Sequence, residues 1–208
     1  MRTALLPHLV RNCALAIIVA AALGSVAAQE QPGKIEPRDA KGVLRLLPAD
    51  AVSDHSIDTP RGRLAYTATA GTLPFYDQSG ERSASVFYTA YVAKNGGAGR
   101  PLTFVFNGGP GAASAYLHLG LVGPRILDLG PDAHDAIRAE LRDNADTWLA
   151  FTDLVLIDPI GTGWSRAAKA DDAKSFWNVR SDASAMAKAI ASLRQQEQPQ
   201  RRAEIFAR

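Results

Sequence analysis

The fold class is decided at residues 101–111, which read PLTFVFNGGPG. The first part, Pro101–Phe106, is nearly all apolar, as expected of a central strand that is buried on both faces of a sheet. Asparagine, glycine and proline follow at once, so this strand must end in a tight loop. A second apolar run, LVLI at 154–157, is followed by another glycine-containing segment, DPIGTG at 158–163. Two such strands indicate an α/β sheet.

The residues before this strand predict an antiparallel start to the sheet. Apolar and small polar residues alternate from Arg61, the turn residues 77–80 interrupt them, and alternation resumes from Ser85 to Val92. We therefore expect a β-hairpin at one edge of the sheet. Residues 128–146 are polar and contain proline, which predicts a surface loop with room for one short helix.

A helix and a further strand are predicted near the end of the chain. Residues 203–207, AEIFA, are typical of the beginning of a strand. The helix should run from Val179 to Gln196. Its buried face should carry the apolar residues at helical spacing, namely Val179, Ala183, Met186, Ala187, Ile190 and Leu193.

The loop Asn107–Gly111 is the first segment that indicates chemistry. Loops at the carboxyl ends of sheet strands are where α/β proteins bind ligands. Its glycines leave backbone N–H groups unshielded, so the loop can direct donors at a developing oxyanion, and Pro110 fixes the turn. An ordinary tight turn has the same composition. A phosphate-binding P-loop lacks its Gly-Lys-Ser here, and Arg166 stands where a dinucleotide-binding loop needs its third glycine.

The N-terminus has the pattern of a secretory signal. Arg2 and Arg11 precede the apolar stretch 13–23, and small residues follow up to Ala28. The stretch is shorter than the roughly 20 residues of a membrane span. We predict a signal peptide over 1–28, cleaved after Ala28 or, as second choice, Ala27. An extended leader over 29–60 and an α/β domain over 61–208 should follow, exported to the periplasm or the medium.

Processing would leave a chain of balanced charge. Of 23 Lys and Arg residues against 21 Asp and Glu, Arg2 and Arg11 would be removed, which leaves 21 of each. Such a chain lacks the excess positive charge that favours nucleic acid binding. Cys13, the only cysteine, would also be lost, which excludes disulfides and metal–thiolate sites. We expect no metal, no cofactor, no nucleic acid partner and no membrane attachment after cleavage. The oligomeric state is not predicted.

The two glycine loops together resemble those of the serine carboxypeptidase family, in particular its bacterial branch. The resemblance is carried by RPLTFVFNGGPGAASAYLHLGLVGPRIL from residue 100 and DNADTWLAFTDLVLIDPIGTGWSRA from residue 143. It extends weakly back to Arg61 and forward through FWNVRSDASAMAKAI. It implies that residues 61–208 are the N-terminal part of an α/β-hydrolase domain that acts on peptides with a free C-terminus.

The resemblance also implies roles for single residues. In the family, the loop asparagine binds the free carboxylate of the substrate and the next amide assists, which implies Asn107 and Gly108. The second glycine donates an oxyanion-hole N–H, which implies Gly109. The other matched loop residues should shape the site wall and support the first loop, and they are Pro110, Gly111, Asp158, Pro159, Gly161 and Gly163.

The sequence departs from the family in two loop positions and in its catalytic residues. Ala112 and Leu121 stand where many members have cysteine and glutamate. The family's nucleophile, in a Gly-Glu-Ser-Tyr elbow, and its Asp and His come later than Arg208. We therefore expect the 208 residues alone to be inactive as a Ser-His-Asp hydrolase. No serine has an elbow context, and His118 and His134 are predicted to be a packing residue and a solvated loop residue.

Two alternative functions stay open. A proline iminopeptidase couples a similar GGPG loop to a similar second loop, but its first loop begins with His, and Asn107 and Pro159 fit the carboxypeptidase pattern better. The other alternative is a non-enzymatic fragment or a carboxylate-binding module that uses Asn107 and Gly108.

Overall fold

A computed structural model describes residues 42–97, 99–108, 111–130 and 139–197, and the backbone of 203–207. Its main feature is a seven-stranded sheet. The strands, in chain order, are β1 (Ala51–Thr59), β2 (Gly62–Tyr76), β3 (Arg82–Ala93), β4 (Leu102–Phe106), β5 (Arg125–Asp128), β6 (Glu140–Asp143), β7 (Asp153–Ile157), β8 (Arg166–Ala167) and β9 (Ala203–Ala207). All except β5 and β6, which form a separate two-stranded sheet, belong to the main sheet.

The main sheet begins antiparallel and continues parallel, as the sequence predicts. Its strand order is β1-β2-β3-β7-β4-β9, with β8 paired to β3 off this path. The pairs β1–β2, β2–β3 and β3–β7 are antiparallel, whereas β4 is parallel to both β7 and β9. The two predicted buried strands are β4 and β7, which lie side by side. The loops that follow them therefore emerge at the same edge of the sheet.

Apolar side chains cover both faces of the sheet. On one face, Val86, Phe104 and Ile157 pack against helix α2 (Val179–Glu197). On the other, Val105 and Leu156 pack against the short helix α1 (Ala115–Leu117) and the π-helical turn His118–Val122 that continues it. No helix among the described residues is both long and apolar enough to cross a membrane.

Residues 42–60, the part of the predicted extended leader that the structure describes, contain regular structure. The structure places a 3-10 helix at Gly42–Leu46, with Leu44 buried, and the nine-residue strand β1 inside this segment. Every residue of β1 pairs with β2. The hairpin β2–β3 is present as predicted, but it does not form the edge, because β1 lies outside it. The stretch AVSDHSIDT shows little apolar pattern, since most of its side chains are exposed.

The predicted loop 128–146 also contains regular structure. Strand β6 lies within it and pairs antiparallel with β5, which ends at Asp128, the first residue of the predicted loop. Residues 131–138 lie outside the described residues.

Helix α2 is present as predicted, but its buried face was predicted only in part. Met186 and Leu193 are buried and Ile190 is half-buried, whereas Val179, Ala183 and Ala187 are exposed. The face in contact with the sheet includes Ala185 and Ala189 instead. In this alanine-rich helix more than one face carries apolar residues at helical spacing, so the spacing alone did not decide between Ala183 and Ala187 on one face and Ala185 and Ala189 on the other.

Candidate active site

Asn107 and Gly108 are the first residues after β4, and both are half-buried. They lie at the carboxyl edge of the two central parallel strands, beside the end of β7. Gly109 and Pro110 lie outside the described residues, so their predicted roles stay predictions. Gly111 is exposed and has a positive φ of 123°.

Ser114 joins the first loop to the end of β7. Its hydroxyl donates to the carbonyl oxygen of Ile157 and lies 3.3 Å from the backbone nitrogen of Asn107, which donates to it. The backbone N–H of Ser114 donates to Oδ1 of Asp158 at 2.9 Å. Ser114 therefore contacts Asn107, Ile157 at the end of β7, and Asp158 directly after it.

Asp158 connects the two glycine loops. Its Oδ1 accepts from the Ser114 N–H, and its Oδ2 accepts from the Trp164 N–H at 3.1 Å. The side chain is 9% exposed. Burial raises the pKa of Asp158, while the two N–H donors and the charge of Arg166 act in the opposite direction. The carboxylate therefore joins Ser114, which follows the first loop, to Trp164, which follows the second.

The two glycines of the second loop leave no space for a side chain. Gly163 has φ +47°, and a Cβ there would overlap Cγ and Oδ2 of Asp158. Gly161 has φ +89°, and a Cβ there would come within 2.6 Å of Nε1 of Trp177. Left-handed φ values and these close contacts both require glycine. The second loop can therefore enclose the Asp158 carboxylate.

A cleft of about 320 Å³ lies beside the two loops. Ser114, His118 and Asp158 all line it, and these are the residue types of a hydrolytic triad. Their hydrogen bonds do not form one. The Ser114 hydroxyl donates to a main-chain carbonyl, and Nε2 of His118 shares a 2.5 Å hydrogen bond with the hydroxyl of Tyr91.

The half-buried His118–Tyr91 pair is neutral near pH 7. Burial lowers the pKa of His118 to about 4 and raises that of Tyr91. The Tyr91 ring in turn contacts the Tyr66 ring edge-on, and Tyr66 belongs to the core beneath helix α1. The packing role predicted for His118 is confirmed by these contacts. His134 lies outside the described residues.

Sequence reasoning missed Ser114 and Ser165 as organisers of the site. Ser165 is fully buried, and its hydroxyl donates to the carbonyl oxygen of Asp158 and accepts from the Phe87 N–H. Each serine lies shortly after the last glycine of its loop, Gly111 or Gly163, which was the available signal. In the described parts of the chain, no cluster of three or more His, Cys, Asp or Glu side chains could hold a metal ion.

Comparison with known proteins identifies the family. A family model described as serine carboxypeptidase matches residues 64–206, most of the chain. The chain therefore belongs to the serine carboxypeptidase family, and its mixed sheet is part of an α/β-hydrolase fold.

Individual relatives cover less of the chain. Serine carboxypeptidase-like 41 and 44 of Arabidopsis thaliana are each 33% identical over 89 residues, which is 42% of this chain and 18% and 17% of theirs. Among solved structures, Kex1(delta)p, a prohormone-processing carboxypeptidase from Saccharomyces cerevisiae, is 30% identical with a TM-score of 0.39. That match covers 49% of this chain and 21% of the yeast chain. The matches thus span about a fifth of the length of these relatives.

Proposed function

We propose that this chain is the N-terminal part of a serine-type carboxypeptidase, which releases C-terminal residues from peptides through an acyl-enzyme. Asn107 and Gly108 bind the free carboxylate of the peptide, and the Gly109 N–H stabilises the oxyanion. The nucleophile, base and orienting acid come from outside these 208 residues. The observation that carries the proposal is the position of Asn107 and Gly108. They directly follow a central parallel strand, and the Asn107 N–H donates to the hydroxyl of Ser114, whose own N–H donates to Asp158.

The second glycine loop serves the site by holding Asp158. Its carboxylate accepts a hydrogen bond from Ser114, which follows the first loop, and from Trp164, which follows the second, so movement of either segment breaks a bond to the same buried group. This arrangement keeps the first loop in place before charge develops on a substrate, which is the condition for effective oxyanion stabilisation.

We further propose that the chain is exported, on the basis of the signal pattern over residues 1–28. Mass spectrometry of the secreted protein should show Gln29, or Ala28 as second choice, as its first residue. Retention of Met1 on a cytoplasmic protein would contradict export.

Replacement of Asn107 tests the carboxylate-binding role, in a protein that carries this chain together with the family's nucleophile elbow. Asn107→Ala removes a hydrogen bond to a charged group, for which roughly 1.5–3 kcal/mol is typical. We expect a loss of about 10- to 150-fold in kcat/KM, at about 1.4 kcal/mol per factor of ten. The loss should affect peptide acids and largely spare the matching C-terminal amides and esters.

Two comparisons make this experiment specific. Alteration of the Gly109 loop position should slow acids, amides and esters alike, because every substrate forms an oxyanion. Asn178→Ala, a change in an exposed asparagine that caps the first turn of α2, should leave the ratio of acid to amide rates unchanged. If Asn107→Ala slows all three substrate classes equally, Asn107 only holds the loop and does not bind the carboxylate.

A further inference from the structure

The hydroxyl of Ser114 lies at the start of helix α1 but does not cap it. Ser114 precedes helix α1 directly and is 3% exposed. A serine at this position normally accepts a hydrogen bond from a backbone N–H of the first helical turn. Here the hydroxyl makes its contacts elsewhere among the described residues and does not cap the helix. Its hydrogen-bonding capacity is therefore committed to other groups.

The hydroxyl bridges two strand ends. It donates to the carbonyl oxygen of Ile157, the last residue of β7, and accepts from the N–H of Asn107, the first residue after β4. One hydroxyl can do both, since it has one donor and two acceptor lone pairs. The ladder between β4 and β7 ends with the pair Val105 and Leu156. The Ser114 hydroxyl thus continues the connection between the two strands beyond their last ladder pair.

The backbone of Ser114 fixes the position of this bridge. Its N–H donates to the buried carboxylate of Asp158, which also accepts from the Trp164 N–H. Ser114 is therefore attached through two different groups to two consecutive residues, Ile157 and Asp158. It cannot move relative to β7 without loss of both bonds.

We infer that Ser114 is a positioning residue that sets the orientation of the Asn107 peptide group. That peptide group ends at the Cα of Asn107, so its orientation sets the direction from which the Asn107 side chain projects. In the proposed carboxypeptidase, Ser114 thereby controls the geometry with which a substrate carboxylate is bound. Only this consequence for substrate binding rests on the proposed function, because the effect on the Asn107 backbone follows from the hydrogen bonds alone.

The chain offers a closely matched control in Ser165. Ser165 is also buried, and its hydroxyl also donates to a carbonyl at the end of β7, that of Asp158, while it accepts from a backbone N–H. That N–H belongs to Phe87 on β3, not to Asn107. Ser165→Ala therefore also removes a buried hydroxyl that bridges a carbonyl near the end of β7 and a backbone N–H, but it leaves the hydrogen bond of the Asn107 amide in place.

Amide hydrogen exchange in the full chain, followed residue by residue by NMR, tests the inference. In Ser114→Ala, exchange at Asn107 should accelerate by about 2- to 12-fold, the equivalent of one net hydrogen bond. Ser165→Ala should accelerate exchange at Phe87 and leave Asn107 at the wild-type rate. Ser114→Thr, which keeps a hydroxyl, should retain protection at Asn107. Equal acceleration at Asn107 in both alanine variants, or none in Ser114→Ala, overturns the inference.

Two further measurements separate this inference from the proposed function. If Ser114→Ala does not fold, the exchange rate of the Asn107 amide in the wild-type chain is the test. Exchange there at the rate of an unstructured peptide overturns the inference. Binding of an N-acetylated dipeptide and its C-terminal amide is then compared by NMR titration. Ser114→Ala should lower the preference for the acid, as Asn107→Ala does. Faster exchange at Asn107 with an unchanged preference supports the positioning role and contradicts the carboxylate-binding role of Asn107.

Discussion

Gly163→Ala should destabilise the chain more than any ordinary glycine-to-alanine change. Gly163 has a left-handed φ of +47°, and a Cβ at this residue would overlap Cγ and Oδ2 of Asp158 and lie 3.0 Å from Oδ1. The carboxylate cannot simply move away, because the N–H groups of Ser114 and Trp164 hold its two oxygens. The new methyl group must therefore break at least one of these hydrogen bonds or shift the loop.

The expected loss follows from these two contributions. A non-glycine residue in the left-handed region costs roughly 1–2 kcal/mol. Loss of one hydrogen bond to a charged group costs about 1.5–3 kcal/mol more. Together they predict a decrease of about 2.5–5 kcal/mol in the free energy of unfolding, a large fraction of the roughly 5–15 kcal/mol typical of a domain.

Gly80→Ala is the control for the backbone contribution. Gly80 also has a positive φ, +80°, but nothing in the described part of the chain lies within 4 Å of the position that a Cβ would occupy there. Urea unfolding should therefore show a loss of about 1–2 kcal/mol for this variant. In addition, the loss in Gly163→Ala should shrink when Asp158 is also replaced by alanine, because the overlap is then gone. A Gly163→Ala chain that is no less stable than Gly80→Ala would refute the reasoning.

Three other predictions follow from the described contacts. Because burial lowers the pKa of His118 to about 4, the unfolded chain binds more protons than the folded chain between about pH 6.5 and 4. The contribution of His118 to the free energy of unfolding should therefore fall with decreasing pH in this window, by at most ~1.4 kcal/mol per pH unit. His118→Phe should lose this pH dependence. Because the raised pKa of Asp158 changes stability in the opposite direction, the quantity to measure is the difference in the free energy of unfolding between the wild-type chain and His118→Phe at each pH. Arg100→Met removes a charged partner from the fully buried Asp153, 2.8 Å away, and should cost about 3–5 kcal/mol in thermal unfolding; an unchanged melting temperature would contradict it. A fluorophosphonate probe should leave the 208-residue chain unlabelled, because the buried Ser114 and Ser165 hydroxyls donate to main-chain carbonyls; heat-sensitive labelling of either serine would contradict this.

The strands and loops with a strong local signal were predictable from the sequence. The run 101–106 and the run 154–157 are buried on both faces, so their apolar character is continuous and identifies β4 and β7 without any partner. Asn107 and the glycines that follow were recognisable as a loop at a strand end, since their residue types suit almost no other structure. The motif pair also sufficed to predict the family to which the chain belongs.

Only the tertiary structure decided how these pieces are connected. Strand β1 is mostly polar and exposed, with Ile57 as its one core residue, so its place in the sheet depends on hydrogen bonds to β2 more than on an apolar pattern. Ser114 and Asp158 are 44 residues apart in sequence, and their contact exists because β4 and β7 are adjacent and parallel. A serine hydroxyl can donate and accept, and a carboxylate can accept, from many different partners. The sequence names the groups at this site, but the partners that each group binds depend on which strand ends the fold brings together.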